Sequence, residues 1–162
     1  MNDDNKKIIE DLIKKVVDNP HNADYYLQLA NIYFGQNQYD LSENVYKSLL
    51  NIEPSNYVAL TNLGTIAFLR YDFLEAVNYY SRVVGLGIDN ASVYFNLGNA
   101  FAELGEFKQA MSNYIKSLNI DKNNYQVYSS IGLLYQDQQN YEEALIYYEK
   151  ALKLNKNNPD NY

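Results

Sequence analysis

The chain has 162 residues, 47% of them apolar, which suits one domain with its own core and does not resemble a disordered tail. Thirteen basic against twenty acidic side chains leave a net charge of -7, the wrong sign for a surface that must neutralise phosphates or anionic headgroups, so no nucleic acid partner is expected. There is no cysteine, which excludes disulfides, thiolate catalysis and thiolate metal sites.

The opening "MNDDNKKIIEDLIKK" is polar and then amphipathic, without the apolar core of a signal peptide, and nothing later approaches a membrane span. No membrane insertion and a cytoplasmic location are the expectations. Within residues 1–22, positions 3–18 predict an amphipathic helix with Ile8, Leu12 and Val16 at four-residue spacing, closed by Asn19-Pro20. This helix would serve as a half-unit covering whatever follows. His21, the single histidine, sits in the turn beside Pro20 with no cysteine, serine or acid arranged to make it a base, and reads as an ordinary turn residue.

From residue 23 onward the chain repeats itself every 34 residues. Leu29, Leu63, Leu97 and Ile131 form one column, followed by the small residues Ala30, Gly64, Gly98 and Gly132. The same spacing carries Tyr33, Ala67, Phe101 and Tyr135, then Tyr39, Phe73, Phe107 and Tyr141. It continues through Ser42, Ala76, Ala110 and Ala144, and through Tyr46, Tyr80, Tyr114 and Tyr148. The apolar steps inside a unit are helical twice over, as in Tyr94, Leu97, Phe101 and Leu104 and then Phe107, Ala110, Tyr114 and Leu118. Each unit is therefore two helices joined by a short polar turn: "GQNQ", "LRYD", "ELGE" or "DQQN".

Asn22, Asn56, Asn90, Asn124 and Asn158 stand one period apart just before each first helix, where an asparagine caps free backbone N–H groups. Asn37 and Gly105 suit a left-handed residue closing the first helix, whereas Tyr71 and Gln139 hold that place in the other two units, so those turns are expected to be strained or differently shaped. Each glycine inside a first helix weakens it by about 1 kcal/mol against alanine. Its compensation is expected to be close approach of the two helix backbones, matched on the second helix by Ser42, Ala76, Ala110 and Ala144.

These columns resemble the tetratricopeptide repeat, whose unit follows the pattern W-x2-L-G-x2-Y, then A, F/Y, A and P. The resemblance covers four units, 23–56, 57–90, 91–124 and 125–158, and leaves 159–162 as the start of a further one. Departures are Tyr26, Leu60, Tyr94 and Tyr128 in place of tryptophan, Leu49 and Val83 where a small residue is usual, and proline only at Pro54. "VVGLGI" at 83–88 is the oddest segment, and its two glycines are expected to reshape the junction between the second and third units. Asn158-Pro159-Asp160 reads as a cap, a first helical proline and a first-turn acid. The last helix keeps Leu145, Tyr148 and Leu152 on one side, so the expectation is either a longer array or an end that associates with another copy.

The resemblance implies an all-α, right-handed α-solenoid whose first helices line a concave groove. The groove residues it implies include Gln28, Asn31, Phe34, Asn62, Thr65, Phe68, Leu69, Phe95, Asn96, Asn99 and Leu133. With six such positions in each of the four first helices, none is lysine, arginine or histidine, which argues against the variety of this family that clamps a carboxylate. Gln28, Asn62, Asn96 and Ser130 share one column, and amides so spaced could bond an extended peptide backbone. Asparagine supplies 23 of 162 residues, however, so its four appearances in the groove stand little above background. The interspersed Phe34, Phe68, Leu69, Phe95 and Leu133 are stronger marks of a binding surface. With Asp24, Glu103 and Asp137 as its only charges, the groove would prefer a partly apolar, neutral or basic segment of a protein or peptide.

Little else carries chemistry. Glu142-Glu143 is a solvated first turn, Gly85-x-Gly87 lacks the remaining spacing of a nucleotide loop, and Asn90-Ala91-Ser92 is a sequon whose asparagine is already explained as a cap. The eighteen tyrosines recur mostly at core columns and read as packing. A non-enzymatic interaction module with no cofactor is the expected function. The alternatives are a self-associating scaffold through the C-terminal end, or the substrate-recruiting arm of a larger enzyme.

Overall fold

The computed structural model describes residues 3–156, and these form α-helices with no strand among them. In chain order they are α1 (Asp3–Asp18), α2 (Ala23–Gly35), α3 (Tyr39–Ile52), α4 (Tyr57–Leu69), α5 (Phe73–Gly85), α6 (Ala91–Glu103), α7 (Phe107–Ile120), α8 (Tyr125–Asp137) and α9 (Tyr141–Lys156). The tightest packing joins α2 to α3, α4 to α5, α6 to α7 and α8 to α9, so each sequence unit folds as a helical hairpin. Each hairpin then rests on the next in sequence order. One apolar face per helix is all that the 34-residue period offers, and stacking is what hides it.

Capping asparagines set where first helices begin. The side-chain oxygen of Asn22 accepts from the Asp24 N–H at 3.1 Å and that of Asn56 from Ala59 at 3.0 Å. Asn90 and Asn124 each accept from two N–H groups, at 2.9 to 3.3 Å. Asn158, the fifth of the column, lies outside the described residues. The result is four first helices of identical length, 13 residues each.

All four inter-helix turns share one shape, so of the two expectations for Tyr71 and Gln139 it is strain, and not a different shape, that the structure shows. Asn37, Tyr71, Gly105 and Gln139 have φ of 58°, 62°, 74° and 60°. In each unit the following N–H bonds back to the carbonyl of the column Tyr33, Ala67, Phe101 and Tyr135, at 2.9 Å, which is the 6→1 bond of a Schellman ending. That shared bond holds a tyrosine and a glutamine left-handed at about 1–2 kcal/mol each. The 83–88 junction does differ from its counterparts. There α5 ends at Gly85 and turns through Gly87 at φ 74°, whereas α3 and α7 run one residue further in register and leave through Glu53 and Asp121, both at negative φ.

The nearest thing to each glycine of the column is a ring of the second helix. A Cβ built on Gly64, Gly98 or Gly132 would lie 2.6 to 2.7 Å from the ring of Tyr80, Tyr114 or Tyr148. At Gly98 backbone is close as well, the Ala110 carbonyl lying 3.3 Å from that Cβ. In the first unit Ala30 takes the place of glycine, and the Ser42 hydroxyl donates to its carbonyl at 2.9 Å.

Buried residues form a stripe through the stack. Ala30, Tyr46 and Leu49 are continuous with Leu60, Leu63, Ile66, Tyr80, Val83 and Leu97, and beyond these Ala110, Tyr114, Val127, Ile131 and Leu134 continue it. At the N-terminal end α1 covers Leu29 and Tyr33 with Ile9 and Leu12. Ile8, expected on that face, is 48% exposed. Its column, that of Ser42 and Ala76, packs on the first helix of its own unit, and no helix precedes α1 among the described residues.

Candidate functional site

Along one side of the stack α4 touches α6 and α6 touches α8 directly, and no two second helices come as close. These first helices make the more tightly drawn wall, and four tyrosines behind it set its polar chemistry. The Tyr46 hydroxyl donates to Asn31 Oδ1 at 2.5 Å and receives Asn62 Nδ2 at 2.6 Å. Tyr80 pairs with Thr65 at 3.0 Å and also with Asn96. Tyr114 donates to Asn99 at 2.8 Å and bonds Ser130. Each hydroxyl thus joins a first helix of its own unit to that of the next, fifteen residues back and sixteen ahead.

Burial pushes the pKa of Tyr46 and of Tyr114 up to about 12, and that of Tyr80 upward as well. These hydroxyls stay protonated and act as neutral hydrogen-bonding pins. Tyr148 breaks the pattern. Leu133 stands in the column of Asn31, Thr65 and Asn99 and offers no acceptor, so Tyr148 donates to Gln136 at 3.0 Å instead.

Two adjoining hollows open on this wall. The smaller, about 80 Å³, is lined by Thr65, Phe68, Leu69, Tyr80, Asn96 and Asn99. The larger, about 330 Å³, shares Phe68 and Asn99 and continues to Ala102, Glu103, Leu133 and Asp137, with Tyr114 and Ser130 at its back. Of the residues expected to bind a partner, the hollows bring together Thr65, Phe68, Leu69, Asn96, Asn99 and Leu133. Gln28, Asn31, Phe34, Asn62 and Phe95 line neither.

Each of those five has a definite place. Phe34 packs half-buried and edge-on to Tyr39, with ring centroids 5.7 Å apart, and Phe95 leans on the Tyr114 ring at 6.1 Å. Asn31 and Asn62 are engaged by Tyr46, so the column of amides is in large part the partner set of the tyrosines. Gln28 stays exposed because the matching residue of α1 is Leu12, which carries no hydroxyl. The tyrosines themselves were read as packing alone. A signal was there to find, since polar residues stand fifteen before Tyr46, Tyr80 and Tyr114 and sixteen after each.

Charge separates the two sides of the stack. Helices α2, α4, α6 and α8 contain no lysine, arginine or histidine. On another side, Arg70 bonds both Asp40 and Glu43, and Lys47 meets Glu43 at 2.5 Å, tying the first unit to the second. His21 is exposed between α1 and α2. Among the described residues no cluster of three or more His, Cys, Asp or Glu side chains is placed to hold a metal ion, and no helix is long and apolar enough to cross a membrane.

Family models match this chain in three places: a tetratricopeptide repeat at 23–56, a TPR repeat at 98–139 and a tetratricopeptide repeat at 125–158. The chain is a tetratricopeptide-repeat protein. Solved structures agree on the architecture. A crystal structure of MamA superposes with a TM-score of 0.86 at 25% identity, covering 91% of this chain and 86% of that one. MamA 41-end from Desulfovibrio magneticus RS-1 gives 0.89 at 14% identity over 96% and 88%, a likeness of fold alone. A comparison with curated protein sequences finds no match. Tetratricopeptide repeats are protein-interaction modules, which supports a scaffold role and protein partners for this chain in general terms.

Proposed function

We propose that the wall of first helices docks an extended segment of a partner protein, centred on Phe68. The observation that carries this reading is the pair of adjoining hollows, which meet at a half-buried phenylalanine beside exposed Leu69 and Leu133, 49% and 52% accessible. Apolar side chains displayed in a concavity, with partly free amides around them, offer both anchor pockets and backbone hydrogen bonds. Phe68 is held edge-on by Phe73 at 5.3 Å, so its ring is oriented before any partner arrives.

The test is affinity capture from the native cell extract with the wild type and with Phe68→Ser/Leu69→Ser. Partners retained by the wild type and lost by the variant, at unchanged sedimentation and helical signal, are the expected result. Equal capture by both would contradict it.

One observation favours a second reading, self-association through the C-terminal end. Leu145, Ile146 and Leu152 on α9 are 59%, 50% and 55% exposed, and Tyr148 is only half-buried where its three counterparts are buried. Sedimentation velocity over a hundredfold concentration range decides it. A concentration-dependent dimer abolished by Leu145→Glu/Leu152→Glu supports this role, and a monomer throughout removes it.

A further inference from the structure

We propose that the larger hollow, between α6 and α8, receives the cationic side chain of a lysine or arginine in the docked segment, an inference that rests on the groove reading above. Two columns of the repeat diverge to make it. The first runs Phe34, Phe68, Ala102 and Gln136, and the second runs Gly35, Leu69, Glu103 and Asp137. Where the first two units place a phenyl ring, the third has a methyl group, and the space left open is the 330 Å³ hollow, within the usual ligand-cavity range of about 300–1,000 Å³. Beside Phe68 and Leu69 the opening is only about 80 Å³.

The same step along the stack changes the chemistry of the rim. Leu69 gives way to Glu103 and then Asp137, both exposed carboxylates, and among the described residues neither pairs with a lysine or arginine. No cation stands on α2, α4, α6 or α8 to compete for them. Phe68 supplies a ring face at the entrance, against which the methylene stem of a lysine or the plane of a guanidinium can lie. Asn99 and Ser130 add side-chain oxygens at the back. Tyr114 behind them is held neutral, by burial first and then by the charge of Glu103, so it contributes a dipole and no charge of its own. The binding segment is therefore read as an apolar residue over Phe68 and Leu69 followed along the stack by a basic one.

A displayed library of random heptapeptides, selected in parallel on three forms of the full chain, tests this. The wild type is expected to enrich peptides with lysine or arginine next to apolar residues. Glu103→Gln/Asp137→Asn, which keeps shape and removes charge, should enrich apolar peptides without the basic residue. Ala102→Phe, which keeps the charges and fills the hollow, should also lose the basic preference. In a selected peptide, replacing the lysine by norleucine should weaken binding to the wild type about tenfold, the low end for a close charge pair across an interface, and leave the Gln/Asn variant unaffected. If peptides bind the wild type without basic preference, or if the preference survives in either variant, the hollow is not the cation site while the groove reading stands. Enrichment of no peptide by the wild type would overturn both.

Discussion

The seam between the helices of a unit and the wall that faces the hollows are built from the same 34-residue period, yet they treat it in opposite ways. Along the seam each unit repeats its neighbour, with Gly64 under Tyr80, Gly98 under Tyr114 and Gly132 under Tyr148 at nearly the same distance. Along the wall Phe34 and Phe68 become Ala102 and Gln136, and Gly35 and Leu69 become Glu103 and Asp137. Positions that must fit the partner helix of the unit are constrained by packing at interior density, so they cannot drift without loss of stability. Wall positions meet solvent or a ligand, and there the units are free to differ. In a repeat protein the informative columns are the ones that fail to repeat.

Substitutions can be ranked by how hard they press on that contrast. Tyr114→Ala removes a ring that is 2% exposed and should cost about 3–5 kcal/mol in urea unfolding. Gly98→Leu drives a side chain into the same ring, since even a Cβ there would lie 2.6 Å from it, and a loss of about 1–3 kcal/mol is expected. Tyr114→Phe keeps the packing and strands Asn99 and Ser130, for about 1–2 kcal/mol. Tyr148→Phe, by contrast, removes one exposed bond to Gln136 and should fall within about 0.5 kcal/mol. If the two phenylalanine variants cost the same, the pinning role of the buried hydroxyls is wrong.

Alkali offers a further separation. Tyr46 and Tyr114 ionise near 12 in the folded chain and near 10 when unfolded, so the unfolded state loses its protons first. Their contribution is complete below pH 10 and is lost as pH rises to 12. Unfolding free energy measured across that window should fall less steeply in Tyr46→Phe/Tyr114→Phe than in the wild type. The smallest effect belongs to the wall, where Leu69→Ser or Glu103→Gln should change stability by less than about 0.5 kcal/mol in thermal melts.

The period made the architecture legible from the sequence, because six aligned columns with helical spacing allow hairpin stacking and little else. The capping asparagines were legible for the same reason, one residue type at one place doing one local job. What stayed hidden depends on neighbours brought together by folding. A tyrosine in a core column looks the same whether its hydroxyl is idle or pinned, and only the stack sets Asn31 and Asn62 on either side of Tyr46. The left-handed Tyr71 was masked by its own poor propensity, overridden by the backbone bond from Asp72 to Ala67. Ile9 is buried where Ile8 was expected because, among the described residues, α1 packs chiefly on α2. Among the candidate binding residues, spacing alone could not tell Thr65, Phe68 and Leu69, which line a hollow, from Phe34 and Phe95, which line neither.

The most direct measurement is amide chemical-shift mapping of the wild-type chain titrated with a library-selected heptapeptide. Saturable shifts should concentrate at Leu69, Asn99, Ala102, Glu103 and Leu133, with α3 and the outer face of α9 unmoved. Shifts that gather instead on α9, or on the turns around Tyr71 and Gln139, would contradict docking on the wall of first helices.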